Sequence, residues 1–177
     1  MLRVIKAAVA LPVLLGGLFL GGVSALGASP SGGAIQVWGT PANGGGGPVV
    51  LTGAVGDSGK SANANSSGTP SKNGTYKLLN LKKGTILLNT TQLGKDVNNN
   101  NLPPTSSNST TCSATFVVTD PVPVVSGTKA YAGVSGTLNI TITFAIVGPM
   151  KNGKCNMNAN PIAQYGSISG SGTVSFS

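Results

Sequence analysis

The chain has 177 residues and a formal charge of +8, from eleven basic residues against three acidic ones, with no His. The acids are Asp57, Asp96 and Asp120 and the one Arg is Arg3, so Glu is absent and nothing beyond the N-terminal segment is Arg. This inventory excludes His-based triads and leaves a metal site short of its usual ligands, so no catalytic residue, no metal and no other cofactor is expected.

Residues 1–25 carry Arg3 and Lys6, then an apolar run from Ala7 to Val23 interrupted by Pro12 and glycines, then the small residues Val23-Ser24-Ala25. That is the order of a secretory signal peptide, with cleavage near Ala25 or Ala28. A membrane span needs about 20 strongly apolar residues, and this run is shorter and rich in Gly and Ala. The expected product is secreted and extracellular, with no stable membrane insertion after cleavage. It retains nine lysines against three Asp, a formal charge of +6. These lysines are scattered apart from Lys82-Lys83 and are not interleaved with aromatics, which reads as a solvated surface and not a nucleic-acid interface.

Residues 26–34 read as a flexible lead-in and 35–177 as one domain with one core. Strands are expected at Ala34 to Trp38, Val49 to Val55, Gly74 to Leu81, Thr85 to Asn89, Ser113 to Thr119, Val122 to Ser126, Gly136 to Val147 and Ile168 to Phe176. The clearest is the seventh, where Leu138, Ile140, Ile142, Phe144 and Ile146 fall on one face and Thr137, Asn139, Thr141, Thr143 and Ala145 on the other. In the last, Ile168, Gly170, Gly172, Val174 and Phe176 share a face, and glycines at inward positions let a sheet curl or a neighbour approach. No window shows a helical period. The fold class is therefore all-β, a closed antiparallel barrel of about eight strands. Between the strands, Thr40 to Pro48, Gly59 to Asn73 and Gly94 to Thr111 read as long polar loops. Asn73-Gly74 fits a turn into the following strand, and Asn152-Gly153 a hairpin tip.

Ala54-Val-Gly-Asp-Ser-Gly-Lys-Ser61 satisfies a relaxed phosphate-loop pattern, but such a loop needs a helix starting at the Lys, and Ala62 to Pro70 will not hold one. Gly56-Asp57-Ser58-Gly59 looks like the nucleophile loop of trypsin-like proteases, which need the His this chain lacks. The plainer reading is a glycine-rich turn in which Asp57 caps its own backbone. Cys112 and Cys155 are the only cysteines, and in an oxidising compartment they form one disulfide, stabilising the fold by about 3 to 4 kcal/mol through loop closure. Tyr131 sits between glycines and either lines an opening or packs at a barrel end.

Gly127-Thr-x-x-Tyr131-x-Gly133-x-x-Gly136 followed by a long alternating strand resembles the C-terminal half of the allene oxide cyclase and dirigent barrels. Gly56-Asp57-x-Gly59 looks like the Gly-Asp-Tyr-Gly that opens a strand in the cyclases, with Ser58 in place of the Tyr. Ile168 to Phe176, with Pro161-Ile-Ala-Gln164, is similar to uncharacterised secreted bacterial proteins with this type of barrel. The resemblance implies an eight-stranded antiparallel barrel with a largely apolar interior, in a homo-oligomer where the plant cyclases form trimers. It does not carry their chemistry over, because the cyclase site relies on a Glu and dirigent sites on paired Asp and Arg.

The expected function is a secreted, non-catalytic barrel that binds an apolar small molecule or serves a structural role outside the cell. Asp57, Tyr131 and Tyr165 are the candidate ligand-binding residues. One alternative is a cyclase-like or dirigent-like enzyme that steers a reactive intermediate by shape; it needs Asp57, Asp120, Tyr131 or Tyr165 to reach an interior pocket. The other is a polyanion-binding or surface-adhesion module, motivated by the +6 charge.

Overall fold

The computed structural model describes residues 31–41, 46–99, 101–156 and 159–177. The expected signal peptide and most of the lead-in lie outside these residues. The elements are β1 (Gly33–Gly39), β2 (Pro48–Gly53), β3 (Asp57–Ala64), β4 (Tyr76–Leu81), β5 (Gly84–Asn89), the helix α1 (Thr91–Val97), β6 (Ser106–Asn108), β7 (Ser113–Gly127), β8 (Val134–Val147), β9 (Met150–Lys151), β10 (Lys154–Cys155) and β11 (Ala163–Phe176). A single 3-10 turn, Lys129–Tyr131, joins β7 to β8.

Eight of these strands close a barrel in the order β1-β2-β3-β4-β5-β7-β8-β11, with β11 returning to β1 and every neighbour antiparallel. Closure follows from alternation: Ile35 and Val37 of β1, Val49 and Leu51 of β2, Ile86 and Leu88 of β5 and Leu138 and Ile140 of β8 all turn inward and are buried. Burying such a side chain contributes about 1.5–3 kcal/mol, and a closed sheet buries all of them without leaving an edge. The inward glycines of β11 take the role expected of them. Gly170 and Gly172 pair with Ile140 and Leu138, and a Cβ at Gly170 would strike the Ile140 side chain.

Four elements differ from the sequence expectation. Residues 57–64 form β3, not part of a loop, because β2 and β4 supply its ladder partners although its inward positions, Gly59, Ser61 and Asn63, are not apolar. α1 begins in the stretch between the expected strand Thr85 to Asn89 and the expected loop at Gly94 and runs into that loop, being too short and too poor in apolar residues to show a period; only Leu93 is buried. β6 is a short polar strand added to β7 within the expected third loop. β7 runs unbroken through Pro121 and Pro123, where two strands were expected, because β5 pairs only with its Val124–Gly127 end and leaves the prolines outside that ladder.

β7, β8 and β11 overshoot the barrel. β1 pairs with β11 only from Ile168 onward, so Ala163 to Ser167 pair with β8 alone, and β6 extends the overhang on its far side. The Asn152-Gly153 turn, with both residues at positive φ, forms the tip of the β9–β10 hairpin beside it. Cys112 and Cys155 are joined there as a disulfide with Cα atoms 5.3 Å apart, tying the hairpin to the start of β7.

Candidate functional site

Register assigns the two barrel ends opposite characters. One end gathers Gly33, Gly53, Asp57, Leu81, Gly84, Gly127, Val134 and Phe176; the other gathers Gly39, Pro48, Asn63, Lys77, Asn89, Ile142 and Ile168.

The first end is closed by Tyr131. Its side chain is fully buried in the core that also holds Val55 and Val134. Gly127 is needed for this approach, since a Cβ there would collide with the Tyr131 carbonyl oxygen. The phenol donates to Asp57 Oδ2 at 2.6 Å. The Lys83 amide donates to the same oxygen at 2.9 Å and the Ser58 amide to Oδ1 at 2.7 Å. Desolvation pushes the Asp57 carboxyl up, but the bonds from Tyr131 and the Lys83, Ser58 and Lys82 amides outweigh it and hold the group below the usual carboxylate range. Burial, then the Asp57 hydrogen bond and charge, push the Tyr131 phenol well above its ordinary value. Asp57 does cap its own backbone as the sequence suggests, and β3 opens at it. The pair is a structural plug with its proton held on the phenol.

The other end is hollow. A cavity of about 590 Å³ opens there, within the range of small-molecule sites. Its wall is apolar, with Val37, Val49, Leu79, Leu88, Ile140 and Ile168 from six strands. α1 lies across one side of the mouth and contributes Leu93 and Val97, while Lys72, Asn73, Lys95 and Asn98 form a polar rim. An eight-stranded barrel has room either for side chains or for one small ligand. Here the closed end takes the first option and the open end the second.

Lys77 also lines the cavity. It shares a strand face with Leu79 and Leu81, so its side chain enters from the wall, half-buried. Desolvation lowers its ammonium below the ordinary lysine value. Nζ donates to Asn63 Oδ1, and the Asn63 amide donates in turn to the Lys72 carbonyl at 3.3 Å. Lys60, the other lysine on a barrel strand, is exposed on the outer face.

At the same end, beyond the last β5 pair, Asp120 of β7 turns inward beside Asp96 of α1. Its Oδ2 is shielded from solvent and has no donor. Desolvation, then the Asp96 charge and a carboxyl–carboxyl hydrogen bond, push Asp120 upward, since two carboxylates bond only when one carries a proton. Asp96 is held by Gln92, whose amide donates to it at 2.8 Å.

The structure brings Asp57 and Tyr131 together, as a pair in the plug and not at the cavity. Tyr165 is 65% exposed on the overhang, where it borders a separate shallow hollow with Thr115, Ala145 and Val147. None of Asp57, Asp120, Tyr131 or Tyr165 lines the cavity. Ser61, Asn63 and Lys77 were missed as site residues; for Lys77 the signal existed, because Lys77-x-Leu79-x-Leu81 alternates within an expected strand. Among the described residues no group of three or more His, Cys, Asp or Glu is placed to hold a metal, and no helix is long and apolar enough to cross a membrane. Comparison with protein-family models, curated proteins and solved structures finds no match to this chain.

Proposed function

We propose that this chain is a secreted, non-catalytic β-barrel that carries an apolar small molecule in the open end of its barrel. The observation that carries the reading is the cavity itself, about 590 Å³ with walls supplied by Val, Leu and Ile. A core built only for stability fills such space, because interiors pack to crystal-like density and voids cost stability. Secretion is supported by the N-terminal sequence and by the disulfide, which suits an oxidising compartment. Among the described residues the cavity lining contains no carboxylate, phenol, thiol or imidazole, which favours carriage over a cyclase-like or dirigent-like activity.

The test is native mass spectrometry of the secreted protein, with identification of any retained small molecule, alongside titration with an environment-sensitive apolar dye. Leu79→Trp and Ile140→Trp, which fill the cavity from two walls, are expected to abolish dye binding while the β-rich circular dichroism spectrum persists. Dye binding that survives both fillings overturns the reading. N-terminal sequencing of the secreted form is expected to begin after Ala25 or Ala28; an intact N-terminus would remove the secretory part.

A further inference from the structure

The barrel strands contribute one amine to the cavity wall, Lys77, with Lys72 and Lys95 at the rim, and the surroundings of Lys77 suit a reaction. Of the two lysines on the eight barrel strands, Lys60 points out and is exposed, while Lys77 points in among Leu79, Leu88 and Ile140. The strand positions around it in the cavity wall, Val37, Val49, Leu79, Leu88, Ile140 and Ile168, are aliphatic, so a lysine here costs desolvation that a Leu or Met would not. Asn63, anchored by its own bond to the Lys72 carbonyl, accepts a hydrogen bond from Nζ and so fixes where the amine sits.

We propose that Lys77 captures an apolar aldehyde or ketone inside the cavity as a reversible imine. The inference rests on the carriage reading and names the class of cargo. The neutral Nζ attacks the carbonyl carbon, forming the C–N bond as the C=O π pair moves onto oxygen. A proton passes from nitrogen to that oxygen to give a carbinolamine; its hydroxyl takes a proton from solvent and leaves as water as the nitrogen lone pair forms the C=N bond, and the protonated imine returns that proton to solvent to become neutral. No oxidant or reductant takes part, and hydrolysis releases the cargo unchanged. Desolvation raises the fraction of Lys77 that is neutral, and the same apolar wall that lowers the ammonium holds the alkyl chain of the carbonyl compound.

The experiment incubates the purified protein with decanal, traps imines with cyanoborohydride, and locates the alkylated lysine by peptide mass spectrometry. 1-Decanol, which has the same chain and no carbonyl, serves as the non-covalent probe by native mass spectrometry. The expected result is one dominant adduct on Lys77, little on exposed Lys60, and loss of that adduct in Lys77→Arg and Lys77→Met. Adducts spread evenly over Lys60, Lys82 and Lys77, or placed mainly on the rim lysines Lys72 and Lys95, in the wild-type protein overturn the inference, whatever the variants do. Retention of 1-decanol without a Lys77 adduct overturns it and leaves carriage standing; retention of neither probe sinks both. Decanoate retained through Lys77 with no decanal adduct also overturns it, assigning the ammonium as an anchor for an anionic head.

Discussion

At the closed end of the barrel the Asp57 carboxylate accepts three hydrogen bonds and Tyr131 seals the core above it, whereas at the open end Lys77 and Asp120 are both drawn toward their neutral forms. Both ends take polar groups out of water. The closed end supplies donors for the charge it shields; the open end supplies an apolar wall, the Asn63 side-chain oxygen for Lys77 and a second carboxyl for Asp120. Bonds that favour the charged form hold Asp57 ionised in a rigid plug, whereas desolvation draws Lys77 and Asp120 toward their neutral forms. The cavity lies at the second end.

The largest effect on this contrast comes from removing the plug. Tyr131→Ala is expected to cost about 3–5 kcal/mol by urea unfolding, as for a large buried aromatic, and a cost below about 1 kcal/mol would mean that Tyr131 does not seal the core. Next, replacing Cys112 and Cys155 together by Ser is expected to cost about 3 to 4 kcal/mol under oxidising conditions, with dye binding unchanged, because the bond lies at the overhang and not in the cavity wall.

Asp57→Asn is smaller, about 1.5–3 kcal/mol at neutral pH, the range for hydrogen bonds to a charged group. The folded carboxyl titrates below its unfolded value of about 3.9, so its contribution is present above that pH and is lost as pH falls through the folded value. Unfolding free energies of wild type and variant should therefore converge in strong acid; a gap that persists at low pH would show that shape and not charge holds the plug.

Asp120→Asn is expected to have the smallest effect, and the opposite sign. The folded carboxyl titrates above its unfolded value, so stability is fully present below about 3.9 and is lost as pH rises through the folded value. The variant should melt at a higher temperature than wild type near pH 7 and at the same temperature near pH 3. A lower melting temperature at pH 7 would contradict the carboxyl–carboxyl contact.

Most of the barrel was legible in the chain because its strands obey a single rule. Leu138 to Ile146 and Ile168 to Phe176 alternate since one side faces a core, and a period of two survives without knowledge of any partner. β3 was not legible for the same reason. Its inward Gly59, Ser61 and Asn63 face the plug end and the cavity, not a packed core, so the apolar signal is missing where the barrel is hollow. The site suffered similarly: Asp57 and Tyr131 stood out through glycine-rich surroundings that mark a tight closure, while Lys77 sat unremarked in a strand.

Composition and period determined by themselves that this chain is all-β and lacks a His- or Glu-based chemistry, because each rests on residue type and local spacing alone. Only the tertiary structure decided which end is plugged and which is hollow. That division depends on the register of β3, β4 and β5 and on where α1 lies across the mouth, and these follow from contacts between segments far apart in the chain. The burial of Lys77, and with it the lowering of its ammonium from the ordinary lysine value, is a consequence of the same packing.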